Sequence, residues 1–315
     1  MRRRITTAIV FLSLSAAVLA VSCYHMDVRM GMGEGNGVGL SYRIVGEGPP
    51  LVVIHDGPGY EKMLMYPGFD DLARDMKVIY YDQRGCGRSE ELTPLESLTL
   101  ADNVEDLEAL RQYFRLDTFS IAAHGWGAVI ALEYVRKYEE FVNGVMLITP
   151  ISPFAPEPTH DTVLDNLPRR ARIAVFDVLN HPTMSMVERR ERLMRLVLPS
   201  LFYNGKAAGL IRARQLRYAA DVNIRLSDEL KTLDMFPVLD EITLPTLVII
   251  GRHDISTPVR DQMAYADGIR SASAVVFNDS GHFPFLEERS FFLSVAREFI
   301  LHNRIPALVK AVKPD

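Results

Sequence analysis

Only two cysteines, Cys23 and Cys86, occur in 315 residues. Too few for a disulfide framework, they are not expected to pair with each other either, since Cys86 sits in a glycine-rich loop. Basic blocks are missing beyond Arg2, Arg3 and Arg4. The 35 Lys and Arg are outnumbered by 40 Asp and Glu for a net charge of −5, which argues against nucleic acid as a partner. No group of His, Cys, Asp and Glu has the spacing of metal ligands along the chain, and no phosphate-binding glycine loop stands in the right context. Neither a metal nor a cofactor is therefore expected. Internal repeats are absent as well.

What is present begins with a leader. Three arginines precede the apolar stretch 8–21, which falls short of the roughly 20 residues that span a membrane comfortably and ends at Ser22-Cys23. Residues 1–22 read as a secretory signal. Ala20-Val21-Ser22-Cys23 resembles a lipoprotein cleavage box, with Cys23 as the lipid-bearing first residue. The position three before the cysteine departs from the pattern, since Ala20 stands where leucine is usual. Ordinary cleavage and an uncleaved anchor are the alternatives. The reading implies an exported protein, anchored to a membrane and facing the periplasm or the cell exterior. Its mature chain would carry a net charge near −8.

The apolar fraction of 48% supports a sizeable core. Two strands, at 26–30 and 40–45, read as an opening hairpin. Continuous apolar runs at 51–54, 77–81, 118–122, 145–148, 247–250 and 274–277 suit strands buried on both faces. Helical periodicity follows at 61–75, 100–114, 128–138, 259–269 and 289–303. From about 151 to 240 the alternation stops, and the pattern becomes helical and arginine-rich. This organisation predicts an α/β protein with a mostly parallel sheet, helices on both faces and an inserted helical cap. Its units are a core in two parts, 23–150 and 241–315, with the cap at 151–240 between them.

The most telling absence is a single hydroxyl. Ala123-His124-Gly125-Trp126-Gly127 sits between a strand and a helix, where a G-x-S-x-G turn would present a serine. Gly125 occupies the serine position and offers no nucleophile. Taken alone, the stretch is equally an ordinary strand-to-helix turn. Four other loops follow strands in the same way: His55 to Gly59, Asp82 to Ser89, Arg252 to Asp254, and the turn carrying His282. In parallel sheets functional loops gather beyond the carboxyl ends of the strands.

With these residues in view the chain resembles the α/β-hydrolase fold and, within it, the proline iminopeptidase group of serine peptidases. His55-Asp56-Gly57-Pro58-Gly59 is similar to that group's HGGPG, with Asp56 in place of its first glycine. Asp82 to Ser89 matches DQRG-x-GRS in full. Gly251 to Asp254 and Ser280 to Pro284 resemble the loops that carry the triad acid and histidine. The resemblance implies that Asp254 orients His282, that His282 faces position 125, and that the backbone N–H groups of Gly57 and Trp126 form an oxyanion hole.

Glycine at position 125 cannot form an acyl-enzyme, and loss of a serine nucleophile costs about 10⁶ in turnover. The expected protein is thus an exported, proline-iminopeptidase-like hydrolase of weak or no activity towards N-terminal proline peptides or related amides and esters. The alternative is a pseudoenzyme that binds a small peptide or small-molecule ligand. A third reading places a water in the vacated space, activated by His282 and Asp254.

Asp56 either points inward, against a developing oxyanion, or outward as a turn cap. As a replacement nucleophile it is disfavoured, because its backbone lies in the oxyanion loop. His55 is expected to brace its loop, His124 to pack beneath the sheet, and Cys86 to fill a tight turn. In the resembled group, acids of the cap receive the substrate's amino terminus. Glu157, Glu188, Glu191 and Glu229 are available for that role here, and none can be singled out.

Overall fold

The computed structural model describes residues 28–154, 162–203, 205–211 and 216–304. The leader, Cys23, Glu157 and the C-terminal residues lie outside these. No helix among the described residues is long and apolar enough to cross a membrane.

Eight strands form one sheet: β1 (Val28–Glu34), β2 (Gly39–Val45), β3 (Pro50–Ile54), β4 (Lys77–Tyr81), β5 (Phe119–His124), β6 (Val142–Ile148), β7 (Thr246–Gly251) and β8 (Ala272–Phe277). Their order across the sheet is β1-β2-β4-β3-β5-β6-β7-β8. The opening hairpin is antiparallel, and every pairing from β4 to β8 is parallel. The hairpin is longer than the sequence suggests at its first strand, which reaches Glu34.

The longer helices are α1 (Leu100–Tyr113), α2 (Gly127–Tyr138), α3 (Arg169–Leu179), α4 (Met186–Val197), α5 (Ala220–Leu230), α6 (Val259–Gly268) and α7 (Arg289–His302). Alternation along each strand feeds two cores. Phe119, Ile121 and Ala123 of β5 face one side with Leu107 of α1 and Val129 of α2. Ala122 faces the other, with Phe292 and Val295 of α7. Each large apolar side chain so buried contributes roughly 1.5–3 kcal/mol relative to exposure. Between β6 and β7 the described secondary structure is helical, with no strand among the described residues, and includes α3, α4 and α5.

The stretch 61–75, whose helical pattern is interrupted near Pro67 in the sequence, is broken further than that single interruption implies. It forms three short turns, Lys62–Leu64, Tyr66–Phe69 and Asp70–Arg74, in place of one helix. Proline at 67 cannot continue a helical hydrogen-bond ladder. Lys62 is also pulled away, its backbone N–H and its ammonium both bonded to the buried Asp82 carboxylate.

The motif loop after β4 is held by buried charge. Asp82 accepts from Lys62 and from Arg88 N, while Arg84 forms a bidentate pair with Asp106 of α1 at 2.7 and 2.5 Å. Arg84 and Asp106 are both buried. Breaking such a pair from one side leaves an uncompensated buried charge. The Asp106→Ala substitution is therefore expected to cost about 3–5 kcal/mol, measured by urea denaturation.

Candidate active site

Four loops converge at the carboxyl ends of the parallel strands. Asp56 follows β3, Gly125 and Trp126 follow β5, Asp254 follows β7 and His282 follows β8. The turn at Gly125 is left-handed, with φ of +54°, a conformation that glycine adopts without the strain a serine would carry. Gly127 lets α2 start against the end of β3, since a Cβ there would lie 2.9 Å from the carbonyl oxygens of Ile54 and His55.

The expected pair is assembled. His282 Nδ1 lies 2.8 Å from Asp254 Oδ2. Two residues that motif reading passed over complete this acid. Ser256 Oγ donates to Asp254 Oδ1 at 2.6 Å and lies 2.9 Å from His282 Nδ1, while Gln262 Nε2 donates to Asp254 Oδ2 at 3.3 Å. Ser256 sits two residues past Asp254, a spacing suited to a local side-chain turn.

The space at position 125 is not vacant. Asp56 points inward, its Oδ1 accepting from Trp126 N at 2.8 Å and its Oδ2 lying 3.2 Å from His282 Nε2. A Cβ built on Gly125 would collide with Asp56 Oδ1. This corrects three expectations. Asp56 is not an outward turn cap, its carboxylate rather than an open space lies against Gly125, and the Trp126 half of the oxyanion hole is occupied by that carboxylate. Although the Asp56 backbone lies in the oxyanion loop, its side chain crosses to the elbow. Gly57, the other half, stays close by, with Trp126 Cδ1 only 3.2 Å from where its Cβ would stand.

The remaining residues sort clearly. His55 braces its loop, donating from Nδ1 to Asp56 O at 2.6 Å and accepting from Gln83 N at Nε2. Gln83 also accepts from the Trp126 indole at 3.0 Å, tying the β4 loop to the elbow. Cys86 is buried, and burial pushes its thiol well up, away from a reactive thiolate. Of the cap acids, Glu229 accepts from Leu100 N at the start of α1 and Glu188 caps α4, so both have structural work.

His124 is buried as expected but belongs to the site. Its Nε2 donates to His282 O at 2.8 Å, and the two rings stand 4.6 Å apart. Metal-ligand spacing is invisible along the chain, yet the fold brings Asp56, His124 and His282 together, with one donor atom from each within 4.8 Å of the others.

Charge follows geometry. Burial opposes a charged His282, but the carboxylates of Asp254 and then Asp56 outweigh it and push its pKa up to about 10. Burial likewise opposes ionised Asp56, and His282, with the Trp126 N–H, holds it at about 2. His124, driven down to about 4 by burial and by His282, is neutral near pH 7, so His282 is the cation Asp56 meets there. The resting site is an imidazolium between two carboxylates.

The raised His282 value stabilises the fold fully below its ordinary pKa of about 6.5, and that stabilisation is lost as pH rises through about 10. The depressed Asp56 value stabilises above its ordinary 3.8 and is lost as pH falls through about 2. In metal-free protein, Asp56→Asn keeps an acceptor for Trp126 N–H but removes a charge from the imidazole. The His282 pKa, followed by NMR, is expected to fall in that variant, and the alkaline loss of stability to begin at lower pH.

Comparison with known proteins agrees with this fold. Residues 49–289 match the family described as alpha/beta hydrolase fold. The proline iminopeptidase of Saccharolobus solfataricus is 25% identical over 307 residues, covering 91% of this chain and 97% of that protein. The proline iminopeptidase of Heyndrickxia coagulans is 27% identical over 273 residues, covering 81% and 91%. Among solved structures, an alpha/beta fold family hydrolase from Bacillus anthracis aligns with a TM-score of 0.69 at 22% identity, covering 85% of this chain and 97% of that one. An esterase from Exiguobacterium antarcticum aligns at 0.70 and 18%, covering 87% and 100%. A strand-ordered sheet, its loops and these matches together identify the chain as a member of the α/β-hydrolase fold family, similar in sequence to the proline iminopeptidases.

Proposed function

We propose that the protein is an exported hydrolase, lipid-anchored through Cys23, in which the Asp56 carboxylate replaces the serine hydroxyl as nucleophile. One observation carries this reading: Asp56 lies between Trp126 N–H and His282 Nε2, in the space a side chain at position 125 would need.

Oδ2 attacks an electrophilic carbon, the leaving group departs with the proton of His282, and Asp56 becomes an ester, or a mixed anhydride where the carbon is the acyl carbon of an activated ester. Esterification removes one of the two charges that hold the His282 proton, so the imidazole is then a base for water. Water attacks Cγ of Asp56, and the oxyanion develops on Oδ1, the atom that Trp126 N–H already holds. Cleavage returns the carboxylate and releases the second product.

The same geometry limits the substrate. Trp126 N–H is not open to a substrate carbonyl, and a carboxylate is expelled more readily than an amine from a tetrahedral intermediate. Peptide hydrolysis is therefore disfavoured, and small electrophiles with a leaving group on saturated carbon, or activated esters, are favoured. Tyr60 and Tyr218, whose rings lie 5.3 Å apart, both feel the Asp56 charge. Burial above all keeps their phenols protonated.

The ligand-binding reading keeps one observation in its favour: the imidazolium and its two carboxylates satisfy one another without substrate.

A single turnover in oxygen-18 water, with chelator present, separates the two. Small epoxides and p-nitrophenyl esters serve as substrates and prolyl p-nitroanilide as the peptide surrogate. Label in the Asp56 carboxylate is expected, with turnover falling at least about 10⁴-fold in Asp56→Asn. With an epoxide, label in the product alone would exclude a covalent Asp56 ester, and absence of turnover with retained ligand affinity would favour binding.

A second prediction concerns the serine. Gly125→Ser alone is expected to lose stability, from its left-handed φ and its collision with Asp56, and to resist fluorophosphonate labelling. The pair Asp56→Gly with Gly125→Ser is expected to become labelled at the new serine, read by mass spectrometry.

A further inference from the structure

His124 is the one member of the cluster that the aspartate reading leaves without a task. Its Nε2 donates to a carbonyl oxygen, which can only accept, so Nε2 carries the proton and Nδ1 of the neutral ring presents a bare lone pair. That Nδ1 is fully buried and has no hydrogen-bond partner. Buried polar atoms are seldom left so.

We propose that Asp56, His124 and His282 form a binding site for a divalent transition metal. Donor atoms around tetrahedral zinc, at about 2.0–2.2 Å from the ion, stand roughly 3.3–3.5 Å from one another. The edge from Asp56 Oδ2 to His282 Nε2 already measures 3.2 Å, and one donor atom from each of the three residues lies within 4.8 Å of the others.

The surroundings match those of a metal site. Metal-binding histidines donate their other N–H to a carboxylate or a backbone carbonyl. Here His282 Nδ1 faces Asp254 and His124 Nε2 faces His282 O. Asp56 Oδ1 is fixed by Trp126 N–H, which leaves Oδ2 to the ion. Two carboxylates in one buried cluster supply the charge a divalent cation needs. Two histidines and one carboxylate leave a coordination position for water or a substrate atom.

The inference uses the residues of the aspartate reading but not its reaction. Oδ2 bound to an ion is no longer a free nucleophile, so the two states exclude each other.

The test is a titration of the metal-free full chain, without substrate. Cobalt(II) is followed by its visible absorption and zinc(II) by equilibrium dialysis. One equivalent is expected to bind, with a low-symmetry cobalt spectrum. His124→Phe and Asp56→Asn, folded by circular dichroism, are expected to weaken binding by more than about 100-fold, and Asp254→Asn by about 10–100-fold. If His124→Phe does not fold, Asp56→Asn decides. Absence of stoichiometric binding, or equal affinity in wild type and in the folded variants, would overturn the proposal. The oxygen-18 experiment, run with chelator, stands or falls separately.

Discussion

A buried carboxylate facing an imidazole is the constraint on which this site depends. Asp56 cannot enter the space above the elbow unless position 125 lacks a side chain, because its Oδ1 stands where a Cβ would project. Nor could it stay there ionised without His282 and the Trp126 N–H, given what burial costs a bare charge. The aspartate in the first motif and the glycine in the second are therefore one steric and electrostatic change in two parts. Either part alone is worse than both: a serine beside Asp56 collides, and a glycine without Asp56 leaves His282 facing nothing.

The fold makes this exchange tolerable. Parallel strands β3, β5, β7 and β8 fix the roots of four loops, and bracing from outside the site holds their tips. His55 and Gln83 tie the Asp56 loop to the Trp126 indole. The cap enters through Leu201 O, which accepts from His282 N at 2.8 Å, and through Phe202, whose ring stacks on Phe283 at 4.4 Å. A cleft of about 500 Å³ lined by Phe202, Tyr203, His253 and Asp254 opens beside this contact. The sheet loops and the helical segment between β6 and β7 thus share the positioning of one histidine.

Much of this was legible in the sequence, for physical reasons that also mark the limit. Continuous apolar runs such as 51–54 and 247–250 announce strands covered on both faces, and β3 and β7 lie there. Asp254 and His282 could be placed because each follows a strand in a recognisable turn. The direction of a side chain is different information. Asp56 inward and Asp56 outward share one local sequence, and only the distant Gly125 leaves room for the inward state. His124, His282 and Asp56 lie in separate loops, so no spacing rule can bring them together. Ser256 and Gln262 act through Asp254, and nothing in their own neighbourhoods distinguishes them from ordinary turn and helix residues.

The charge state decides how the inherited parts can be used. A serine hydrolase needs a neutral histidine beside a hydroxyl, so its acid must raise the imidazole pKa only moderately. With a second carboxylate on Nε2, His282 keeps its proton through neutral pH and begins as an acid. It becomes a base only when something removes the Asp56 charge or displaces the proton. A covalent ester at Asp56 does the first and a bound divalent cation does the second. In the proposed reaction, a carboxylate in place of a hydroxyl therefore does more than exchange one nucleophile for another. That reaction would reverse the order in which the histidine gives and takes its proton, with Asp254, His282 and Trp126 still in the places the fold assigns them.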